Sequence, residues 1–135
     1  MIYLLDTNIL IYLSKNRPPQ VAEHIDALSE NDTLAMSFIT WAELLRGAEG
    51  SLRRNVTLQL LQTLARQVPV LYPQGSGICE HYAIQATALK RRATPIGAND
   101  LWIACHALAI EATLVSHNVR EFSRVEGLQL ADWAA

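Results

Sequence analysis

Residues 1–13 read MIYLLDTNILIYL, and the change of residue type inside this stretch decides the class of fold. Ile2, Tyr3, Leu4 and Leu5 form an unbroken apolar run, the pattern of a strand buried on both faces. Apolar residues return from Ile9 to Leu13 and are read as a short helix. Between them stand Asp6, Thr7 and Asn8. A carboxylate at the end of a core strand is costly to desolvate. Asp6 therefore needs a reason to be there, as a helix cap or as a ligand.

Outward from this stretch the chain alternates β and α. Strand one is Ile2–Leu5. The helix after it has Asp6 or Thr7 as N-cap and stops at Asn16-Arg17-Pro18-Pro19. An amphipathic helix over Gln20–Ser29 closes at Glu30-Asn31-Asp32, and Leu34–Ser37 is a second strand. Helices follow over Thr40–Glu49, ending near Gly50, and over Leu52–Gln67. Val70–Tyr72 is a third strand. Gly77–Arg92 is a helix with a basic end, and Ala98–Glu111 a nearly all-apolar one that must be largely buried. Thr113–Ser116 is the next strand and Leu128–Leu130 a last edge strand. Short apolar strands separated by helices define an α/β fold, a short central parallel sheet flanked by helices on both faces. With no repeat or linker, residues 1–135 are expected to form a single domain.

Composition excludes several classes of function. Half of the residues are hydrophobic and 18% are charged, which is globular rather than disordered. Asp6 arrives too early for a secretory leader. No apolar run approaches the roughly 18 residues a membrane span needs. Cys79 and Cys105 imply no disulfide framework. The expectation is a soluble, cytoplasmic protein with no membrane partner. A net charge of −2 gives no global attraction to nucleic acid, so a polyanion would have to meet a local basic patch.

The event at Asp6 recurs. Ile39-Thr40-Trp41-Ala42-Glu43-Leu44 follows strand two, Ile96-Gly97-Ala98-Asn99-Asp100 opens the buried helix, and Ser116-His117-Asn118 follows strand four. Each acid alone reads as capping. Thr40-x-x-Glu43 fits a capping box, and Asp100 suits the positive end of a helix dipole. Together they read differently, because a parallel sheet gathers strand ends at one edge, where ligands bind. Two carboxylates about 4 Å apart repel by about 1 kcal/mol in water and by several at a partly buried site. Protonation relieves this, and a divalent cation relieves it better. Hard oxygen donors in an incomplete shell suit Mg2+, with Mn2+ as the substitute.

These motifs, D-T-N at Asp6–Asn8, I-T-x-A-E-L at Ile39–Leu44, I-G-x-N-D at Ile96–Asp100 and H-N-x-x-E-F at His117–Phe122, resemble the PIN-domain ribonucleases. The likeness is nearest to the VapC toxins of bacterial toxin–antitoxin pairs. It covers essentially the whole chain, including a Trp close to the C-terminus. The resemblance implies a three-layer PIN-like domain and a metal-dependent endoribonuclease, leaving 5′-phosphate and 3′-hydroxyl ends. It implies metal-binding and catalytic roles for Asp6, Glu43 and Asp100, with Asp6 and Asp100 as direct ligands. Glu43 is either a third ligand or the group that orients and deprotonates the attacking water. Thr7, Asn8, Thr40 and Asn118 are expected to orient the acids. The family's fourth acid is expected at the position of Asn118, an amide that brings no charge, so one metal is expected rather than two. The resemblance further implies a cognate antitoxin as partner, a homodimer or a toxin–antitoxin hetero-oligomer, and RNA, with tRNA among the targets, as substrate.

The cations that would meet RNA are Arg46, one turn beyond Glu43, and Lys90, Arg91 and Arg92 at a helix end. Each has a plainer reading, a pairing of Arg46 with Glu43 or Glu49 and a dipole-favoured helix terminus for the triplet. His117 is a further contact candidate. Cys79-x-His81 and Cys105-His106 lack zinc spacing, and Trp41 and Trp102 read as packing. Two other functions compete. A haloacid-dehalogenase-like phosphatase would want an acid where Asn8 stands. A non-catalytic PIN-like binding module would show no Mg2+-dependent stabilisation.

Overall fold

A computed structural model describes all residues, Met1–Ala135. The strands β1 (Ile2–Leu5), β2 (Thr33–Ser37), β3 (Val70–Leu71), β4 (Thr113–Val115) and β5 (Gln129–Ala131) form one sheet in the order β3-β2-β1-β4-β5. Every pairing is parallel. The helices are α1 (Thr7–Lys15), α2 (Pro19–Asp26), α3 (Phe38–Glu49), α4 (Arg54–Gln67), α5 (Gly77–Arg91), α6 (Ala98–Ala109) and α7 (Val119–Phe122). None is long and apolar enough to cross a membrane.

The central strand explains why its sequence is uniformly apolar. Successive side chains point to opposite faces of a strand. Leu4, wholly buried, packs with Ala35, Leu114, Ile103, Ala107 and Phe122 on one face. Leu5, also wholly buried, packs with Ile9, Leu10, Met36, Val115 and Trp133 on the other. Both faces are therefore dry, as a parallel sheet requires. Cys105 and Leu101 extend the packing of α6 onto α5. Trp133 is held between Tyr3, at a centroid distance of 5.1 Å, and His24, stacked at 5.5 Å. Trp102 stacks on Tyr82 at 3.9 Å.

The elements depart from the sequence reading at their edges. α2 starts at Pro19, whose missing N–H is harmless in a first turn, and it ends at Asp26 rather than Ser29. α4 starts at Arg54, leaving Leu52 fully exposed in the turn before it. β5 lies one residue later than expected because its register follows β4, Thr113 facing Gln129 and Val115 facing Ala131. α7 was not expected at all.

The largest departure concerns α3. Thr40 does not cap it. Ser37 does, its Oγ accepting from the Ile39 N–H at 3.2 Å, so the helix starts two residues earlier and no Thr40–Glu43 capping box exists. Thr40 is wholly buried inside the helix, and its hydroxyl touches no acid. Ser37 also lies 2.8 Å from Nδ1 of the buried His106, the imidazole that burial holds below its usual range and keeps neutral. Ser37→Ala should cost about 2–3 kcal/mol, a lost cap plus an unpaired buried imidazole nitrogen. Urea denaturation measures this, and a loss below about 0.5 kcal/mol, the scale of a neutral surface change, would mean that neither bond stabilises the fold.

Candidate active site

Parallel strands with a common direction bring their carboxyl ends to one edge, and the acids meet there. Asp6 ends β1. Its N–H donates to the Val115 carbonyl at 3.0 Å, and its Oδ1 accepts from the Ile9 N–H at 3.0 Å as the cap of α1. Capping and site membership coexist in one residue. Asp6 is only 6% exposed. Burial is the main influence pushing its carboxyl above the usual carboxylate range. The Ser116 hydroxyl and the Ile9 N–H pull it back, and the charges of Glu43 and Asp132 push it up again.

Glu43 projects from the second turn of α3. Thr7 donates to its Oε1 at 2.6 Å, and Asn99 reaches its Oε2 at 3.5 Å. The two residues come from the starts of α1 and α6, so two helix starts are tied to α3 through one carboxylate. Asp100 sits in the first turn of α6. Burial first, then the charges of Glu43, Asp6 and Glu121, push it up to about 6. No cation figures among the influences on Asp6 or Asp100.

Glu121 is the acid the sequence reading missed. Asn118, an uncharged amide where the family's fourth acid was expected, was itself expected to orient the acids. It is the N-terminal boundary of α7, and its Nδ2 donates to Glu121 Oε2 at 3.1 Å. One helical turn separates the two residues, and the amide orients an acid that lies near enough to act on Asp100. Glu121 was visible in the H-N-x-x-E-F motif, but without α7 nothing turned it back toward the edge. Asp132, just after β5, was missed as well. It lies close enough to Asp6 to act on it and pairs with His117, Nδ1 to Oδ2 at 3.0 Å.

Of the remaining candidates, Thr7 holds Glu43 as expected of a positioning group, and Asn8 is exposed with no bond to an acid. Arg46 stands with Thr7, Glu43 and Asn99 in the wall of a cleft of about 570 Å³. Its plainer reading fails, since Glu49 is taken by Arg54 at 2.7 Å and Glu43 by Thr7. Lys90, Arg91 and Arg92 are not gathered onto the acids. Arg92 donates to the Arg124 carbonyl at 2.7 Å, and Lys90 edges an apolar hollow beside Leu89 and Leu101.

The donor set fits a hard divalent cation. It consists of carboxylate oxygens and carries excess negative charge, which adds to burial in raising Asp100 to about 6. No three His, Cys, Asp or Glu side chains are gathered closely enough to hold a metal ion by themselves, so a cation here would take most of its ligands from water or substrate.

A 3-2-1-4-5 parallel sheet with an acidic edge defines the class, and the chain matches the PIN domain family over residues 3–128. It is 53% identical over 133 residues, 98% of each chain, to Ribonuclease VapC1 of Haemophilus influenzae strain R2866. It is 33% identical over 132 residues, 97% of each chain, to the tRNA(fMet)-specific endonuclease VapC of Salmonella typhimurium. The solved structure of VapBC-1 from nontypeable Haemophilus influenzae superposes with a TM-score of 0.95 at 52% identity, covering 100% of both chains. The chain belongs to the PIN domain family and, within it, to the VapC ribonucleases.

Proposed function

We propose that this protein is a divalent-cation-dependent, cytoplasmic endoribonuclease, the toxin of a toxin–antitoxin pair, with a structured RNA such as a tRNA as its substrate. The observation that carries the metal dependence is the mutual charge of the acids at this edge: Glu43 acts on both Asp6 and Asp100, Asp6 and Glu121 act on Asp100, and no cation figures among those influences. The ribonuclease activity and the antitoxin partner rest on the VapC relatives and on the VapBC-1 likeness, and the tRNA on the Salmonella endonuclease.

Asp6 and Asp100 are the groups that would hold Mg2+ or Mn2+, with Glu43 or Glu121 as further donors. Bound there, the cation would polarise the scissile phosphate and lower the pKa of an attacking water. Asp6 supplies a fixed, water-excluded donor because its Oδ1 is already tied to the Ile9 N–H. Glu43 has Oε1 occupied by Thr7 and Oε2 only loosely held by Asn99. That second oxygen orients the water and takes its proton. Arg46, on the wall of the cleft, steadies the phosphate backbone. An apolar groove of about 330 Å³, lined by Leu10, Ile11, Leu44 and Leu64, shares Thr7, Glu43 and Gly47 with that cleft. It suits an antitoxin segment that lays apolar side chains along it and brings a basic one to the acids.

The test is incubation of purified protein with total cellular RNA. Discrete fragments bearing 5′-phosphates are expected with Mg2+, and none with EDTA or from Asp6→Ala. An excess of the protein encoded by the adjacent reading frame should silence the wild type. Cleavage that survives EDTA would remove the metal, and cleavage that survives the partner would remove the antitoxin role.

A further inference from the structure

The segment Ser116-His117-Asn118 passes through the acidic edge, and two of its side chains are already committed to it. The Ser116 hydroxyl acts on Asp6, and Asn118 holds Glu121. His117, between them, turns to Asp132. Its Nδ1 lies 3.0 Å from Oδ2 and 3.2 Å from Oδ1 of that carboxylate. Asp132 is in turn fixed by the Ala134 N–H, which donates to its Oδ1 at 2.9 Å. Tyr12 meets the His117 ring edge-on at 6.3 Å. The ring is nonetheless 52% exposed, and no group of the chain bonds its Nε2.

This arrangement fixes a tautomer. An ionised carboxylate only accepts hydrogen bonds, so the proton of the neutral imidazole must sit on Nδ1. In that neutral ring Nε2 presents a lone pair to solvent beside the acids and asks for a donor. A phosphate offers only acceptors. The donor that every ribonucleotide carries is its 2′-hydroxyl.

Resting on the ribonuclease reading above, we propose that His117, held by Asp132, is a subsite for the 2′-hydroxyl of a ribose flanking the scissile phosphate. It is therefore a residue that selects RNA over DNA. The reaction itself gives a reason to need one. When water attacks and the products are a 5′-phosphate and a 3′-hydroxyl, the 2′-hydroxyl takes no part in bond making. Discrimination against deoxyribose must then come from contact. His117 contacts the sugar, and Asp132 is a positioning residue acting through it.

The experiment uses an RNA spanning the mapped cleavage site, in an all-ribose form and in forms with one 2′-deoxy position at each flanking nucleotide in turn. Wild type is expected to cut one of the deoxy forms about five- to tenfold more slowly than the all-ribose form, the scale of one hydrogen bond. His117→Ala should slow the all-ribose form by the same factor and cut that deoxy form at the wild-type rate. Asp132→Asn, which keeps an acceptor for Ala134 while releasing the tautomer, should also narrow the difference. A His117→Ala variant that slows every form equally, or none, would overturn the subsite. So would a loss that follows base identity and persists in the deoxy forms, since that pattern belongs to a base amino group. Wild type that cuts no RNA at all would remove the nuclease reading and this inference with it.

Discussion

Replacing Asp100 with asparagine is expected to abolish RNA cleavage and, in the same protein, to raise its melting temperature when metal is absent. The first effect follows from removing charge where the proposed cation would be held, and a loss of at least about a hundredfold is the scale for deleting one such electrostatic group. The second follows from the sign of the titration. The Asp100 carboxyl is pushed from 3.8 up to about 6 in the folded protein. Between those values the native chain binds more protons than the unfolded one, so stability falls as pH rises through the window. Above it the whole penalty is present. Asparagine keeps the shape and removes the charge. The side chain is partly solvated, so screening reduces the gain to about 1 kcal/mol, or roughly 4 °C for a domain of this size. Melts of both proteins in EDTA at pH 5 and pH 8 measure it, and the difference should widen at pH 8. Adding Mg2+ should then favour the wild type, since a ligand stabilises the state that binds it. A variant that melts below the wild type in EDTA would mean that Asp100 serves only to start α6.

That conflict between charge and stability was partly legible in the sequence, and the reason lies in how local each signal is. β1 could be read because four consecutive apolar residues, Ile2–Leu5, admit little else beside the polar break at Asp6. The places of Asp6 and Asp100 at the carboxyl edge could be read because each adjoins its own element. Glu43 was placed correctly although its helix start was misjudged. The Thr40-x-x-Glu43 spacing resembled a capping box, but the preference lost to Ser37, which gains a second partner in His106, 69 residues away along the chain. No local pattern encodes such a pairing. The fourth acid failed for a related reason. Asn118 occupied the expected place, whereas the further acid that acts on Asp100 beside Glu43 and Asp6 is Glu121, and only α7 brings it there. A helix of four residues carries too little periodicity to be recognised. The basic triplet Lys90-Arg91-Arg92 looked like a nucleic-acid patch by composition. Its geometry depended on Arg92 turning to the Arg124 carbonyl, another distant contact.

α7 is also where the largest loss of stability is expected. A helix this short does not hold itself together, so its position must come from packing. Phe122 supplies it: the ring is 1% exposed and is packed among Leu4, Leu114, Ile103 and Val125. Phe122→Ala should cost about 3–5 kcal/mol, the transfer of the ring plus the cavity it leaves, against a total of about 5–15 kcal/mol for a domain. Urea midpoints measure this directly. The milder Phe122→Leu, expected to cost under about 1.5 kcal/mol as an apolar swap, separates folding from function. Glu121 precedes Phe122, and its charge acts on Asp100 only while α7 stays seated on the core. Phe122→Leu should therefore lose more cleavage than its unfolded fraction explains, and its melting in EDTA should depend slightly less on pH between 4 and 6, as Asp100 loses the smallest of the influences that raise it while burial, Glu43 and Asp6 remain. Activity that merely tracks the folded fraction would mean that Glu121 keeps its place without Phe122. The position of the fourth acid would then have to come from the Asn118 contact alone.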